Sequence, residues 1–228
     1  MPVRGILLDV EGTTTPIAFV YGVLFPFARS HVTEHLRNAD LTDLKREHDE
    51  DVRKGTNPPA WSQESDGPVN YIYWLMDQDR KSTALKNIQG KIWLEGYESG
   101  ELHGEVFPDV VAAFERWRRN TIDVRIFSSG SVLAQRLLFA NTRAGDLTTF
   151  IKGYFDTTTG PKNDPVSYAR IAESFGIPSA EIIFISDVTR ELDAARSAGM
   201  QTFLCKRPGN HPQPSNTHVT ITSFDGIC

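Results

Sequence analysis

Short apolar runs rich in β-branched residues recur along the chain at residues 6–9, 124–128, 182–187, 202–205 and 219–222. Helical spacing fills much of the interval between them. Val110, Val111, Phe114 and Trp117 stand three to four apart, Tyr168, Ile171 and Phe175 repeat that spacing, and Leu192 and Ala195 lie in a segment closed by Gly199. Strands alternating with helices predict an α/β fold with a doubly wound parallel sheet. Ile182-Ile183-Phe184-Ile185 is apolar at four consecutive positions, as a strand covered on both faces must be, and belongs near the centre of the sheet.

Between the first strand and the next that reads clearly, from about Pro16 to Asn120, the interval is far too long for one crossover. It holds a helical pattern over 27–38, a charged stretch over 40–54, a Pro58-Pro59 break and an aromatic helix with Val69, Ile72, Tyr73 and Met76. We therefore expect an α/β core from residues 1–15 and 106–228 and a helical cap from 16–105. The run from Asp43 to Asp51 carries both signs of charge and reads as a solvated helix.

At 228 residues the chain can bury one substantial core with a smaller lid. A net charge of -5 argues against a broad grip on nucleic acid, so a small ligand is expected. No apolar run approaches the roughly 20 residues that span a membrane, and the MPVRG start lacks the features of an export signal; a cytoplasmic address and a monomer are the default expectations. Cys205 and Cys228 read as unpaired thiols.

The chemistry concentrates at strand ends. Ile6-Leu7-Leu8 delivers Asp9, then Val10, Glu11, Gly12, Thr13 and Thr14: two carboxylates beside a glycine-hydroxyl turn, suited to a metal ion and a phosphate. Asp9 and Glu11 alternate by two, and Gly12 lets the backbone bend. Ser128-Ser129-Gly130-Ser131 offers hydroxyls and amides at the start of a helix, although alone the cluster reads more simply, with Ser131 as an N-cap before Val132. Lys162 lies in a Gly-Pro-Lys-Asn-Asp-Pro loop, where a lone lysine is usually surface decoration. Asp187 follows the strongest strand and by itself reads as a turn residue or as a functional carboxylate. Glu191 and Asp193 either support Lys162 or the metal, or decorate a helix surface. Glu101 faces a cleft or water, and the 206–214 loop lies near the cleft or merely joins strands. His31 and His35 have zinc-helix spacing but no third ligand in a recognised pattern.

Taken together, a paired carboxylate, a hydroxyl turn, a lysine and a late aspartate in this order resemble the four motifs of the haloacid-dehalogenase superfamily of aspartate-nucleophile phosphatases, matched at Asp9 to Thr13, Ser128, Lys162 and Asp187. The resemblance covers nearly the whole chain and implies a cap inserted after the first strand. A narrower likeness comes from Leu8-Asp9-Val10-Glu11-Gly12-Thr13-Thr14-Thr15-Pro16-Ile17, Tyr154-Phe155-Asp156-Thr157, Gln89-Gly90-Lys91-Ile92-Trp93 and Gly96-Tyr97, which are similar to the enolase-phosphatases of methionine salvage. Glu11 discriminates, because most superfamily phosphatases carry aspartate there.

That resemblance implies one Mg²⁺ per subunit held by Asp9, Asp187 and the backbone carbonyl of Glu11, with Asp9 as the nucleophile that becomes an aspartyl phosphate. It implies Glu11 as general acid and base, and Lys162, Ser128 and Ser129 as groups that bind the phosphoryl oxygens. The implied substrate is 2,3-diketo-5-methylthiopentyl-1-phosphate, enolised and dephosphorylated to 1,2-dihydroxy-3-keto-5-methylthiopentene; Glu11 is our hypothesis for the enolising base. Tyr73, Trp74, Trp93 and Tyr97 pack the cap's own core or receive the methylthio end. The competing expectations are a phosphatase for another small phosphate ester, a halide-releasing enzyme, and a phospho-accepting signalling or binding protein without turnover.

Overall fold

The computed structural model describes residues 2–62, 66–80 and 82–228. In chain order, strand β1 (Gly5–Leu8) is followed by a short α1 (Ile17–Phe19) and a π-helical turn over Val20–Leu24. Four helices come next: α2 (Phe25–Leu36), α3 (Thr42–Arg53), α4 (Gly67–Asp77) and α5 (Thr83–Glu98). Strands and helices then alternate through α6 (Pro108–Arg119), β2 (Asp123–Phe127), α7 (Val132–Ala140), β3 (Ile151–Phe155), α8 (Pro165–Phe175), β4 (Ile182–Ser186), α9 (Thr189–Ser197), β5 (Gln201–Cys205) and β6 (Val219–Ile221).

The six strands form one sheet in the order β3-β2-β1-β4-β5-β6, and every neighbouring pair is parallel. β1 and β4 lie side by side in the middle and are buried along their whole length, which explains their unbroken apolar sequences: no residue on either face meets water. Sequence patterning missed β3. Its residues Lys152 and Gly153 interrupt the apolar run, and an edge strand with only its first residue buried can carry them. The parallel register brings Leu8 opposite both Ile126 and Ile185. Asp9, Phe127 and Ser186 therefore follow at the same height, and three chain segments leave the sheet together at its carboxyl edge, where open α/β sheets bind ligands.

Contacts divide the chain into two compact units, one comprising Met1–Tyr21 with Leu102–Cys228 and the other Gly22–Glu101. The first is the sheet with its helices, its core built on residues such as Leu7, Phe127, Tyr168, Ile171, Phe184 and Leu192. The second holds α2 to α5 around Val32, Leu44, Tyr71, Ile72, Leu75 and Ile92. Its α3 departs from the fully solvated helix expected from charge alone, because Leu44, His48 and Asp51 turn inward. Burial of Asp51 is made tolerable by the Tyr71 hydroxyl, which donates to it at 2.8 Å, and by Arg80, which donates at 2.7 Å. Trp93 and Tyr97 are buried in this unit, and Trp93 donates from Nε1 to the Leu24 carbonyl at 2.8 Å; both serve its packing. Tyr73 and Trp74 are half-buried. No helix among the described residues is long and apolar enough to cross a membrane.

Candidate active site

Asp9 continues the β1 ladder by one bond, its amide donating to the Ile185 carbonyl at 3.0 Å. The chain then turns sharply. The Val10 carbonyl accepts from the amides of Thr13, Thr14 and Thr15, while the Gly12 amide donates to the Thr15 carbonyl at 2.8 Å. Gly12 adopts a φ of 69°, which a side chain disfavours, and a Cβ there would sit 2.5 Å from Oδ2 of Asp187. The turn thus needs glycine twice over, for its backbone and for the carboxylate pressed against it. Glu11 is half-buried at its start.

The Asp9 carboxylate is buried and held on both oxygens. Oδ1 accepts from the Val10 amide at 2.7 Å and pairs with Lys162 Nζ at 2.7 Å; the Ser186 hydroxyl stands 3.1 Å from Oδ2. Lys162 also meets Glu191 at 2.6 Å. It is only 9% exposed, so it is no surface lysine. The loop that carries it is fixed by the buried Tyr168 hydroxyl, which donates to the Lys162 carbonyl at 2.7 Å, and by Asp164, which caps α8 through the Val166 amide. Burial alone would lower the ammonium's pKa, but the charges of Asp9 and Glu191 outweigh it and hold the group above the ordinary lysine value. Lys162 is a fixed cation.

Asp187 is buried beside this pair. Burial pushes its pKa up to about 7, the negative charges of Asp9 and Glu191 push the same way, and Lys162 opposes them. Glu191 is raised too, by burial and then by Asp9, against the pull of Lys162. One ammonium faces three carboxylates, and the repulsion that this leaves is what a divalent cation would relieve. Among the described residues no three His, Cys, Asp or Glu side chains form a metal cage by themselves. The donors are hard oxygens from few side chains, a set that fits Mg²⁺, which keeps several waters and takes the remainder from backbone and substrate.

At the end of β2, the Ser128 amide donates to the Phe155 carbonyl at 3.1 Å and its hydroxyl accepts from the Gly130 amide at 3.1 Å. Ser129 is exposed. Ser131 is the N-cap of α7, accepting from the Ala134 amide, so the simpler of its two readings describes it. Gln135, which the sequence did not single out, ties the turn down by donating to the carbonyls of Gly130 and Phe155 at 2.8 and 2.9 Å. Asp193 points elsewhere, to His218 at 2.9 Å. His31 stacks on Phe27, and His35 pairs with Glu95 at 3.0 Å; both lie in the helical unit, as does Glu101, 3.9 Å from His31.

The 206–214 loop is fastened to the turn that follows Asp9. Asn210 Nδ2 donates to the Gly12 carbonyl at 2.9 Å and to the Cys205 carbonyl at 3.2 Å. Arg207 reaches the Thr13 carbonyl at 3.3 Å and grips Asp109 with two bonds of 2.9 and 2.8 Å. Gln213 Oε1 accepts from the Thr189 amide at the start of α9. Proline and glycine marked this stretch as a loop, but nothing in its composition signalled what it would touch.

Residues 3–199 match the family model of haloacid dehalogenase-like hydrolases. The chain is 48% identical to Enolase-phosphatase E1 of Synechococcus elongatus over 97% of its own length and 96% of that protein's. To Enolase-phosphatase E1 of Pseudomonas fluorescens it is 43% identical, with 100% and 98% covered. The crystal structure of the UTR4 protein from Saccharomyces cerevisiae superposes with a TM-score of 0.81 at 33% identity, covering 98% of this chain and 99% of that one.

Proposed function

The chain belongs to the haloacid dehalogenase-like hydrolases and, among them, to the enolase-phosphatase E1 family, and from that premise we propose that it is a phosphoric monoester hydrolase converting 2,3-diketo-5-methylthiopentyl-1-phosphate to the acireductone 1,2-dihydroxy-3-keto-5-methylthiopentene in methionine salvage. The observation that carries the reading is the buried Asp9 carboxylate, held by Lys162 at 2.7 Å beside Asp187 at the carboxyl edge of the sheet.

In this proposal Asp9 attacks phosphorus in line. An acyl phosphate forms on Asp9 as the bond between phosphorus and the enol oxygen breaks, and water then cleaves it to release phosphate and restore the carboxylate. Lys162 binds an equatorial phosphoryl oxygen, with the amides and hydroxyls of Ser128 and Ser129 beside it. Glu11 donates a proton to the departing oxygen and takes one from the attacking water. Asp9, Asp187 and the Glu11 carbonyl would hold Mg²⁺, which would supply charge neutralisation for the phosphate and polarisation of a substrate carbonyl. Glu11 is also the group we assign to the proton transfer of enolisation. The helical unit, residues 16–105 in the expected division, acts as a cap that shapes the substrate's apolar end. A cytoplasmic monomer completes the proposal, and the net charge of -5 supports a small phosphate ester over nucleic acid as substrate.

The test is phosphate release from the diketo ester, followed together with the absorbance of the conjugated enediol. Both signals should depend on Mg²⁺ and vanish with chelator. Glu11→Gln should slow both. Normal enolisation by that variant with phosphate release lost would remove Glu11 as the enolising base, and faster turnover of an unrelated sugar phosphate would sink the substrate assignment.

A further inference from the structure

Asn210 lies outside every motif that the sequence analysis identified, 198 residues away from the glycine carbonyl it holds. Its amide orientation is fixed. Nδ2 donates to two backbone carbonyls, Gly12 and Cys205, and a flipped amide would set oxygen against oxygen at both. Oδ1 must therefore point the other way, and there it is buried with no hydrogen-bond partner. A buried amide oxygen left unpaired is costly, and such atoms in a well-made site mark the place of a missing donor.

The surroundings identify that donor's chemistry. A Cβ built on Gly12 would meet Oδ2 of Asp187 at 2.5 Å and Oδ1 of Asn210 at 3.0 Å, so both oxygens press on one face of the turn that begins at Asp9. The amide oxygen calls for a hydrogen-bond donor or a cation, and the oxygen-rich, negatively charged setting favours a donor carried by a cation. Waters on a divalent cation are such donors, polarised by the metal and oriented outward from it.

We propose that Asn210 is a positioning residue of two ends: its amide nitrogen holds the Gly12 turn in place, and its carbonyl oxygen accepts a hydrogen bond from a water on the cation that Asp9 and Asp187 bind. This rests on the cation of the proposed function and extends it to a residue and a loop that no motif includes. The 206–214 loop then belongs to the metal's surroundings as well as to the connection between β5 and β6.

Titration calorimetry of the metal-free protein with Mg²⁺ alone separates the possibilities. Asn210→Ala removes both ends and should weaken Mg²⁺ binding about tenfold or more, the loss typical when a hydrogen-bond partner of a metal's ligands is removed. Asn210→Asp keeps an oxygen acceptor while losing the two N–H donors; it should bind Mg²⁺ at least as tightly as wild type yet turn over substrate more slowly, because the Gly12 turn is released. An alanine variant binding Mg²⁺ within twofold of wild type would overturn the inference, as would an aspartate variant weakened tenfold. If the alanine variant fails to fold, the aspartate variant decides alone by the same criterion. Wild-type protein that takes up no Mg²⁺ would instead sink the cation reading itself, a failure distinct from unchanged binding by the variants.

Discussion

Lys162 shows what a single side chain contributes when burial and charge act together. Its ammonium touches Asp9 and Glu191 at 2.7 and 2.6 Å, and without it three carboxylates would share one pocket with no cation among the side chains named. Lys162→Met should lower kcat at least about 100-fold, the scale of losing one charge-stabilising donor, with the far-ultraviolet circular dichroism of the variant unchanged; a loss below tenfold would remove the lysine from the reaction. This residue was legible only as the third member of a set with Asp9, Ser128 and Asp187, because its loop alone reads as surface and the strand before it, β3, carries no clear apolar run. Ser186 and Asn210 were not legible. The Ser186 hydroxyl meets a carboxylate 177 residues away, Asn210 a carbonyl 198 residues away, and local pattern carries no trace of such meetings.

Among the elements, the 206–214 loop and α6 are joined by a buried ion pair. Arg207 and Asp109 make a two-bond contact with side chains only 4% and 13% exposed, the guanidinium lies 4.6 and 4.7 Å from the ring centroids of Phe107 and Phe224, and Asp109 also accepts from the Phe224 amide. Removing one partner strands the other charge. Asp109→Ala should therefore cost about 3–5 kcal/mol in urea unfolding, and Asp109→Ala with Arg207→Met should cost less than the single change. A single variant as stable as wild type would show that water reaches the arginine. The strands themselves were read well where both faces are covered, as in β4, and also at the β6 edge, but not at β3, where Lys152 and Gly153 break the apolar run.

For the whole molecule, the strand pattern leaves a long gap from about Pro16 to Asn120, and Gly22–Glu101 within it forms a compact unit of its own. Charge patterning was less informative there, because opposite charges in sequence do not reveal which of them turns inward. Burial acts to raise the pKa of Asp51, but hydrogen bonds from Arg80 and Tyr71 prevail and hold it below the usual 3.8. Its stabilising contribution is therefore complete above the unfolded value and lost as pH falls through the lower folded one. Hydrogen exchange between pH 5 and 3 should show protection in α3 and α4 declining more steeply in wild type than in Asp51→Asn; equal slopes would mean that the carboxylate ionises no more readily folded than unfolded.

The sheet order also sets a timetable. β1 is the first strand to leave the ribosome, yet both of its neighbours, β2 and β4, lie more than a hundred residues downstream. At roughly 5–20 residues per second, the segment bearing Asp9 waits on the order of ten seconds for translation to deliver the strands that will shelter it. Gly5–Leu8, wholly apolar and wholly buried at the end, thus stays without its sheet partners until β2 and β4 have been made, and Asp9 finds its place only when they arrive.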